Sequence, residues 1–482
     1  MRAFDDIYIL NLHGHSNKKE QSPDGTQDAN VFDIQEGVAI AIFVRKTGSG
    51  KHFASVYHAD LYGTRKHKYD QLLNADLAMF EWEKLTPQAP SYLFVSQEEE
   101  DQIEYEQGWR LPDIFNQNGD PAPGLLTTQD ELAIAMSSED IKSKVKLLLK
   151  SATEEEARTY FRLCKQSQWN YTDAKNELGQ TNWEKQIIEV LYRPFDMRWT
   201  VYNTNVAVHL RDRVNRHMRV DNLGLGVTKS IETQDGFRHV FVTSKAFAHH
   251  AVSIKEVNYI FPLWLYPTES EAALGMEREA NLAPAFVAEV KDRIGETPTP
   301  EDIFSYAYAV FHAPTYRTRY AAFLKTDFPR LPLPPDAETF HALAAFGAKL
   351  TALHLLEAPE LNAHGVSFPV GGDHTVKKMK TAARYVPPTA DGAPGRVKLN
   401  DAEYFENVPP EAWQFRVGGY QPAAKWLEDR AGRALTEDDI THYRRMIAAM
   451  RETAALLPQV DAAFLTLLAK NQEQLAGVPN EE

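Results

Sequence analysis

Near the end of the chain the sequence reads Trp413-Gln414-Phe415-Arg416-Val417-Gly418-Gly419-Tyr420-Gln421-Pro422, then Lys425-Trp426-Leu427 and Asp429-Arg430, and finally Asp438-Asp439-Ile440-Thr441-His442-Tyr443. The last part predicts a helix that begins after Thr436, because Thr436 and Asp439 have the spacing of a capping box. Apolar positions three and four residues apart then continue one buried face. We expect this helix to end at Pro458, since a proline inside a helix removes a backbone hydrogen bond.

The totals describe a protein of average globular composition. Its 482 residues are too many for one ordinary core and indicate roughly two to four domains. Hydrophobic residues make up 43% of the chain, and no window approaches the run of about eighteen apolar residues that spans a membrane. The single cysteine, Cys164, excludes an internal disulfide framework and a multi-cysteine zinc site. Because the first residues also lack the features of a signal peptide, we expect a protein of the reducing cytoplasm.

Positive charge is concentrated in two segments, although the net charge is −15. The first basic segment, residues 191–220, holds six arginines against two aspartates, and the second basic segment, residues 374–398, holds six cations against one aspartate. A negative net charge argues against a polyanionic partner, because DNA affinity depends on cations that neutralise phosphates. The uneven distribution nevertheless favours a protein that grips DNA on one surface. The alternative is that each run is an ordinary solvated face.

Hydrophobic periodicity predicts an α/β fold that begins with a partial sheet and ends with helices. Short apolar runs predict buried strands at residues 7–12, 37–44 and 54–61, followed by a helix that reaches about Phe80. Residues 192–266 have the texture of short strands and loops, dense in arginine, histidine and aromatic residues. Further helices are predicted at residues 128–136, 139–149, 153–166, 300–313, 336–357 and 436–458.

The candidate DNA-contact residues are lysines and arginines beside aromatic residues or within the two basic segments. Arginine suits this role because its planar guanidinium can bind guanine or a phosphate with two hydrogen bonds. If residues 208–220 form a helix, its arginines fall near one stripe that could follow a phosphate backbone. For Arg198 the alternative is an ion pair with Asp196 in the core, and Lys425 and Arg430 are interpreted as surface charges. The complete candidate set is Arg193, Arg198, Arg211, Arg213, Arg216, Arg219, Arg317, Arg319, Lys325, Lys377, Lys378 and Lys380.

Several motifs together resemble the C-terminal part of type ISP restriction-modification enzymes. In that family a nuclease, an ATP-driven DNA translocase, an adenine-N6 methyltransferase and a target-recognition domain follow one another along one chain. The resemblance is carried by the stretch at residues 413–443 and by Asn11-Leu12-His13-Gly14, Asn30-Val31-Phe32-Asp33-Ile34, Tyr192-Arg193-Pro194-Phe195-Asp196-Met197-Arg198-Trp199 and Tyr306-Ala307-Tyr308-Ala309-Val310-Phe311-His312-Ala313-Pro314-Thr315-Tyr316-Arg317. It implies double-stranded DNA as the partner and sequence-specific recognition as the function.

The resemblance also implies a division of the chain into four parts. Residues 1–85 would be the C-terminal remnant of a Rossmann-like methyltransferase domain, and residues 86–185 a loop-rich and helical connection. Residues 186–335 would form the target-recognition core, and residues 336–482 a C-terminal specificity region with helices. The implied fold is therefore a partial methyltransferase-like sheet followed by a mixed α+β target-recognition domain with a helical C-terminus.

The catalytic motifs of that family do not occur in this sequence. There is no Asn/Asp-Pro-Pro-Tyr/Phe tetrapeptide to hold a flipped adenine, no glycine-rich turn for S-adenosylmethionine, and no phosphate loop for ATP. We therefore expect no catalytic residue, no metal and no cofactor in this chain alone, although the intact family implies S-adenosylmethionine, ATP and Mg²⁺. A separately encoded methyltransferase or translocase half could complete the sheet.

Two alternatives remain open at the level of sequence. The chain could be an inert fragment whose first strands lack their partners. It could instead be a metal-dependent hydrolase that uses His13, His15 and the nearby Asp24, Asp28 and Asp33, although a His-x-His pair with carboxylates is a weak signal without a third convergent ligand.

Overall fold

A computed structural model describes residues 3–14, 22, 26, 28–46, 53–87, 94, 99–164, 167, 169–232, 236–363 and 365–476. The chain divides into two compact units, residues 1–104 and residues 105–482. None of the helices within the described ranges is both long enough and apolar enough to cross a bilayer.

The first unit contains a four-stranded sheet in the order β2-β1-β3-β4. Its elements are β1 (Asp6–Asn11), β2 (Ala39–Val44), β3 (Ser55–Asp60), α1 (Arg65–Asn74) and β4 (Glu83–Leu85). β1 pairs in parallel with β3 and antiparallel with β2. The three predicted strands are confirmed in position, but the helix that follows them ends at Asn74 rather than near Phe80.

The exposure of β2 corrects the prediction that this strand is buried. In β2 the side chains of Ile40, Ile42 and Phe43 are 36%, 37% and 48% exposed. In β1 and β3, by contrast, Ile7, Leu10 and Val56 are buried in two small apolar clusters. The apolar composition of β2 predicted a central strand, whereas the structure gives it an edge position, and among the described residues it pairs only with β1.

The described residues of the second unit form five small sheets. Their strand orders are β10-β9-β12-β6, β11-β7-β8, β13-β14, β15-β5 and β16-β17-β18. The strands are β5 (Trp109–Arg110), β6 (Ala122–Pro123), β7 (Ile187–Arg193), β8 (Asp196–Val201), β9 (Gly224–Thr228), β10 (Val240–Thr243), β11 (Ala246–Phe247), β12 (Asn258–Pro262), β13 (Trp264–Leu265), β14 (Glu279–Ala280), β15 (Arg330–Leu331), β16 (Tyr385–Val386), β17 (Arg396–Lys398) and β18 (Tyr404–Glu406).

Helices are distributed along the second unit and form its C-terminal part. They are α2 (Glu99–Glu106, which crosses the sequence boundary between the units), α3 (Leu111–Ile114), α4 (Asp130–Ala133), α5 (Ser138–Lys150), α6 (Glu154–Phe161), α7 (Tyr171–Gln180), α8 (Asp212–Asn215), α9 (Glu269–Ala273), α10 (Pro284–Ile294), α11 (Pro300–His312), α12 (Pro314–Arg319), α13 (Ala321–Leu324), α14 (Ala337–His354), α15 (Thr381–Arg384), α16 (Pro410–Trp413), α17 (Pro422–Glu428) and α18 (Glu437–Ala476). The mixed fold with a helical C-terminus is therefore confirmed.

The long helices of the second unit pack on one another. α14 contacts both α11 and α18, and the side chains at the contacts are apolar and buried. The prediction that the last helix ends at Pro458 is wrong, because α18 continues to Ala476. Beyond the proline, Val460 and Phe464 are fully buried, and the Phe464 ring lies 5.7 Å from that of Tyr316. Burial of this apolar face outweighs the cost of about 3 kcal/mol for a proline inside a helix.

Two of the predicted helices are shorter than their sequence patterns indicated. Residues 128–136 contain only α4, and the helix expected to reach residue 166 ends at Phe161. Arg162 follows it in the left-handed conformation, which is a common helix terminator. The other cap signals are confirmed, since the Thr299 side chain accepts a hydrogen bond from the Asp302 backbone N–H at the start of α11.

Candidate nucleic-acid interface

The arginines at positions 211–219 share one short, solvent-facing segment. It consists of α8 and a following 3-10 turn (Arg216–Arg219), so the helix considered over residues 208–220 is only eight residues long and changes type in its middle. The apolar residues Val214 and Met218 point into the core. Arg211, Arg213 and Arg219 are exposed, and Arg216 is half-buried.

Contacts with neighbouring residues hold two of these arginines, Arg213 and Arg219, in place. The Arg213 guanidinium donates hydrogen bonds to the carbonyls of Asn118 and Asp120, and the Asn118 side-chain amide donates to the Arg213 carbonyl at 2.8 Å. The Arg219 guanidinium lies 4.6 Å from the centre of the Tyr202 ring. Positioning of this kind reduces the side-chain entropy that is lost when a cation binds an anion.

The histidines His209, His249 and His250 lie next to this segment and are connected through the backbone of Leu125 and Leu126. Leu126 pairs with His209, while the His249 N–H donates to the Leu125 carbonyl at 2.8 Å. Burial, His250 and the positive charge of Arg211 together lower the pKa of His249 to about 4. Burial and Arg211 also lower the pKa of His209. Both imidazoles are therefore shifted towards the neutral form, chiefly by burial and additionally by the charge of Arg211.

Arg193 contacts both the backbone of His250 and the ring of Tyr420, the residue that follows the glycine pair Gly418-Gly419. Its guanidinium donates to the His250 carbonyl at 3.1 Å and lies 4.0 Å from the Tyr192 ring centre and 5.1 Å from that of Tyr420. The Tyr420 hydroxyl donates to the same His250 carbonyl at 2.8 Å. Arg193 is half-buried, so it has both a structural role and a solvent-facing edge.

The paired glycines at positions 418 and 419 permit a close approach of two backbones. The Gly418 N–H donates to the Arg238 carbonyl at 2.7 Å, and the Gly419 N–H donates to the Val252 carbonyl at 3.3 Å. Gly418 has a φ of 52°, and a Cβ atom there would lie 2.1 Å from the Val252 carbonyl oxygen. Only glycine fits position 418, whereas a Cβ atom at Gly419 would make an ordinary contact of 3.5 Å with the Ser253 hydroxyl.

Arg198 does not belong to this surface, because it lies in a buried ion-pair network. Its guanidinium donates to both carboxylate oxygens of Asp196, with Nε at 3.0 Å and Nη2 at 2.6 Å. Arg430 donates to the same carboxylate at 2.9 Å and stacks 3.6 Å from the Trp426 ring centre. Although burial raises the pKa of Asp196, Arg430 and Arg198 outweigh it and keep that pKa low. The expectation that Arg430 is a surface charge is wrong, and Arg198 is fully engaged inside the protein.

Next to this network lies a cleft of about 610 Å³ with charges of both signs. Four acidic residues and five cations line it: Asp130, Glu131, Asp140 and Asp429, and Lys144, Arg193, Arg198, Lys425 and Arg433. The cations are partly neutralised, since Lys425 pairs with Asp429 at 2.7 Å. This balance of charge makes the cleft a poor phosphate cradle.

The candidates at positions 317–325 lie at or near the surface. The Arg317 Nε atom donates to the Phe311 carbonyl at 2.7 Å, and burial together with the neighbouring Arg238 lowers the pKa of the Arg317 guanidinium. Arg319 is half-buried and Lys325 is exposed. Arg238 is exposed as well, but it lies outside both basic segments, so no run of cations marks it in the sequence.

The three lysine candidates lie in a separate part of the second unit, around the β16-β17-β18 sheet. Lys377 is exposed and pairs with Asp401 at 2.6 Å. Lys378 and Lys380 are also exposed. Arg384, from the same basic segment, is completely buried and donates to the carbonyls of Lys398 and Lys377 at 2.8 and 2.9 Å. The sequence run therefore overstates the cationic surface at this place.

The acidic residues of the first unit have partners other than a metal. The Lys68 ammonium is fully buried and contacts the Asp28 carboxylate at 2.8 Å, and Arg65 pairs with Asp33 at 2.8 Å. The Nε2 atom of His13 lies 2.7 Å from the Asp60 carboxylate, which can accept its hydrogen bond. His15 and Asp24 lie outside the described residues. Within the described part of the chain, no group of three or more histidine, cysteine or acidic residues could hold a metal ion.

Solved structures with the same fold are type ISP enzymes and a related DNA complex. The cryoEM structure of the DrdV-DNA complex has a TM-score of 0.63 and 22% identity, covering 95% of this chain and 47% of that one. A nuclease-deletion mutant of LlaGI with a DNA substrate mimic has a TM-score of 0.61 and 18% identity, with 94% and 43% covered. LlaBIII, an ATP-dependent type ISP enzyme bound to DNA, has a TM-score of 0.63 and 17% identity, with 95% and 31% covered.

The chain thus spans less than half the length of each of these neighbours. No curated protein matches it significantly. Residues 113–459 match the family described as the type ISP C-terminal specificity domain. Since that match covers most of the sequence and nearly all of the second unit, the chain belongs to the type ISP C-terminal specificity domain family.

Proposed function

We propose that the second unit binds double-stranded DNA and selects its sequence on behalf of a type ISP restriction-modification system. The observation that carries this proposal is the set of exposed, positioned arginines at residues 211–219, next to the loop that holds His249 and His250. Phosphate contacts of this kind fix the register of a protein on DNA, and nearby side chains can then read base edges. The structural neighbours are DNA complexes, which supports the same partner.

The proposed contacts are those candidate residues that are exposed or half-buried. Arg211, Arg213, Arg216 and Arg219 form the main phosphate-binding group, with Arg193 at its edge. Arg317, Arg319 and Lys325 extend the interface on one side, and Lys377, Lys378 and Lys380 provide a weaker, separate contact. Arg198 is omitted because Asp196 already neutralises it in the core. The four-part division of the chain predicted from the resemblance is retained as part of this proposal.

The experiment is a salt titration of binding to labelled duplexes of random sequence, followed by fluorescence anisotropy. We expect the logarithm of the association constant to fall linearly with the logarithm of the salt concentration, with a slope of about −0.9 per phosphate contact. Replacing Arg211, Arg213, Arg216 and Arg219 by Gln should lower the slope. Absence of binding at low salt, both alone and with an added methyltransferase segment, would contradict the proposal.

We further propose that a methyltransferase segment, on the same or a second chain, completes the sheet of the first unit at β2. The strand has an unpaired edge within the described region and exposes Ile40, Ile42 and Phe43. An edge strand of this composition is a template for another strand, and the neighbouring structures contain more than twice the length of this chain. Methyl transfer from S-adenosylmethionine, and any use of ATP and Mg²⁺, would then belong to those additional segments.

This second proposal is tested by co-purification with a type ISP methyltransferase segment that carries the Asn-Pro-Pro-Tyr motif. The double variant Ile42→Asp, Phe43→Ser should abolish co-purification but leave DNA binding by the second unit intact. Leu73→Ser is the matched control, because Leu73 is 81% exposed on α1 of the same unit. Equal co-purification of all three proteins would show that β2 is not the docking edge.

A further inference from the structure

The loop between β11 and β12 is held rigid by a buried polar network. The Asn258 side-chain oxygen accepts the backbone N–H groups of Val252 and Ser253 at 2.5 and 2.8 Å. Its amide nitrogen donates to the carbonyls of Ser253 and Glu256 at 3.0 and 2.6 Å. One buried asparagine thus satisfies four backbone groups, which fixes the conformation of residues 252–257, here called the tip loop.

A second buried side chain strengthens the same loop. Glu256 is 5% exposed, accepts a hydrogen bond from the Ser253 hydroxyl, and accepts the Glu232 backbone N–H at 2.8 Å. The Lys255 N–H donates back to the Ser253 hydroxyl oxygen at 3.3 Å. A loop of six residues therefore uses three buried polar side chains, Ser253, Glu256 and Asn258, to hold its shape.

The residues that this network presents to solvent are apolar and cationic. Ile254 is 61% exposed and Val257 is 41% exposed, and Lys255 between them is exposed as well. An exposed branched side chain on a rigid loop does not contribute to the core of the protein. Single exposed apolar residues are common on protein surfaces. Ile254 differs from them because the buried network of Ser253, Glu256 and Asn258 fixes the backbone that carries it.

One cation of the proposed DNA interface, Arg193, lies at the base of the tip loop. Val252, the first residue of the loop, accepts the Gly419 N–H, and the adjacent Gly418 donates to the Arg238 carbonyl. Two residues before the loop, the His250 carbonyl accepts hydrogen bonds from Arg193 and Tyr420. The apolar tip therefore lies close in the chain to Arg193, which is one of the proposed DNA contacts.

We propose that the tip loop is a base-reading element, in which Ile254 contacts the bases of duplex DNA while Lys255 binds a phosphate. This inference rests on the proposed function and adds the residue that discriminates between sequences. An aliphatic side chain can recognise a thymine methyl group in the major groove or can enter a base step from the minor groove. Rigid support increases discrimination, because a preorganised contact loses less entropy on binding and tolerates mismatched bases less well.

The test is selection from a library of duplexes with a randomised centre, followed by sequencing of the bound fraction. Wild-type protein should enrich a preferred motif. Ile254→Ser should reduce the affinity ratio between the preferred duplex and a scrambled one by roughly tenfold, with little effect on binding to the scrambled duplex. Lys255→Gln should weaken both duplexes alike and lower the salt slope by about one.

Control variants separate a base contact from a general loss of structure. Leu465→Ser removes an apolar side chain that is 49% exposed on α18, and its motif should equal that of the wild type. Asn258→Ala retains Ile254 but removes the hydrogen bonds that fix the tip loop, so it should also reduce the enrichment of the preferred motif. Thermal unfolding of this variant shows whether the fold persists. Preferred duplexes with deoxyuridine in place of thymidine distinguish a thymine-methyl contact, which they weaken, from insertion at a base step, which they leave unchanged.

The outcomes distinguish this inference from the proposed function. If the wild-type protein enriches no motif and binds no duplex, the proposed function fails. If the wild type enriches a motif and Ile254→Ser enriches the same motif to the same extent, the proposed function stands and the base-reading role of Ile254 is refuted.

Discussion

The two basic segments have similar charge in the sequence, but the fold uses them differently. Of the six arginines at residues 191–220, only Arg198 is buried, and Arg211, Arg213 and Arg219 are exposed on one short segment. Among the six cations of residues 374–398, Arg384 is completely buried, and Lys377 and Arg396 pair with Asp401 and Glu406. The first segment thus provides a positioned cationic surface, whereas the second mainly stabilises a small sheet.

The difference between the segments depends on where their acidic partners lie. Asp401 and Glu406 follow the second segment closely, and they approach its cations through the β16-β17-β18 sheet. In the first segment, Asp196 pairs with Arg198 and Arg430 inside the core, and Arg213 donates to the loop carbonyls of Asn118 and Asp120. Local charge counts therefore identify a nucleic-acid surface only when nearby sequence does not supply the counter-charges.

The largest effect is expected when the buried network of the first segment is broken. Asp196→Ala removes the carboxylate that Arg198 and Arg430 share in the core and leaves them only the more distant Asp429 and Asp439, at 3.6 and 3.9 Å. This should lower the free energy of unfolding by about 3–5 kcal/mol. Denaturant unfolding followed by tryptophan fluorescence measures the change. Asp391→Ala, at an exposed position of the second segment, is the control and should leave the midpoint where it is. If Asp196→Ala unfolded at the same denaturant concentration as the wild type, Arg198 and Arg430 would not differ from the surface arginines in their structural role.

A smaller loss of stability is expected at the buried arginine of the second segment. Arg384→Met removes two hydrogen bonds to backbone carbonyls and leaves both acceptors without that donor, so we expect a loss of about 2–3 kcal/mol. The same denaturation experiment measures it, with the exposed Lys378→Met as the matched control. If both variants unfold alike, the second segment does not depend on Arg384 for its structure.

Acid should destabilise the first segment through His217. Burial and the adjacent Arg216 lower the pKa of His217 to about 4, and its Nδ1 atom accepts the Tyr266 N–H at 2.9 Å. The pKa of His217 is about 6.5 in the unfolded chain, so between pH 6.5 and the folded value the unfolded chain binds more protons than the folded one. The contribution of His217 to the free energy of unfolding is therefore complete above about pH 6.5 and falls as the pH drops. We expect His217 to contribute a loss of about 2 kcal/mol at pH 5.

The pH dependence is measured by urea unfolding at pH 7.5 and pH 5. His217→Gln is the informative variant, because its side-chain oxygen can accept the same backbone N–H without titrating. Its stability should fall less between the two pH values than that of the wild type. An equal fall in both proteins would assign the acid sensitivity to other groups.

The effects on DNA binding are expected to be the smallest in free energy. Arg213→Gln with Arg216→Gln should weaken duplex binding by roughly tenfold and lower the salt slope by about two. Lys378→Gln with Lys380→Gln should weaken binding less, and by the same factor for every sequence. Anisotropy titrations at several salt concentrations measure both pairs. Equal losses would mean that the two segments contribute equally to the interface.

Local signals in the sequence predicted much of the secondary structure. The cap at Thr299, the strands β1 and β3, and the packing role of aromatic residues such as Tyr308 follow from spacing alone. Long-range packing decided the features that the sequence did not reveal. Arg430 meets Asp196 across 234 residues of sequence, so its burial could not be read from its neighbours.

The same limit applies to the extent of elements and to the proposed reading loop. Pro458 does not end α18, because the apolar face beyond it packs on α12 and its neighbours. β2 has the composition of a buried strand but an edge position. Ile254 stands beside Lys255 in an ordinary turn-like stretch, and only the buried contacts of Asn258 distinguish that loop from others.

Site-specific cross-linking tests most directly whether the first basic segment faces DNA. In a Cys164→Ser background, single cysteines replace Arg213 or Leu465, and each protein is incubated with duplexes that carry a disulfide tether on a backbone phosphate. We predict efficient cross-linking from position 213 and only background cross-linking from position 465 on α18. Cross-linking from position 465 that equals or exceeds that from position 213 would contradict the assignment of the DNA-binding surface.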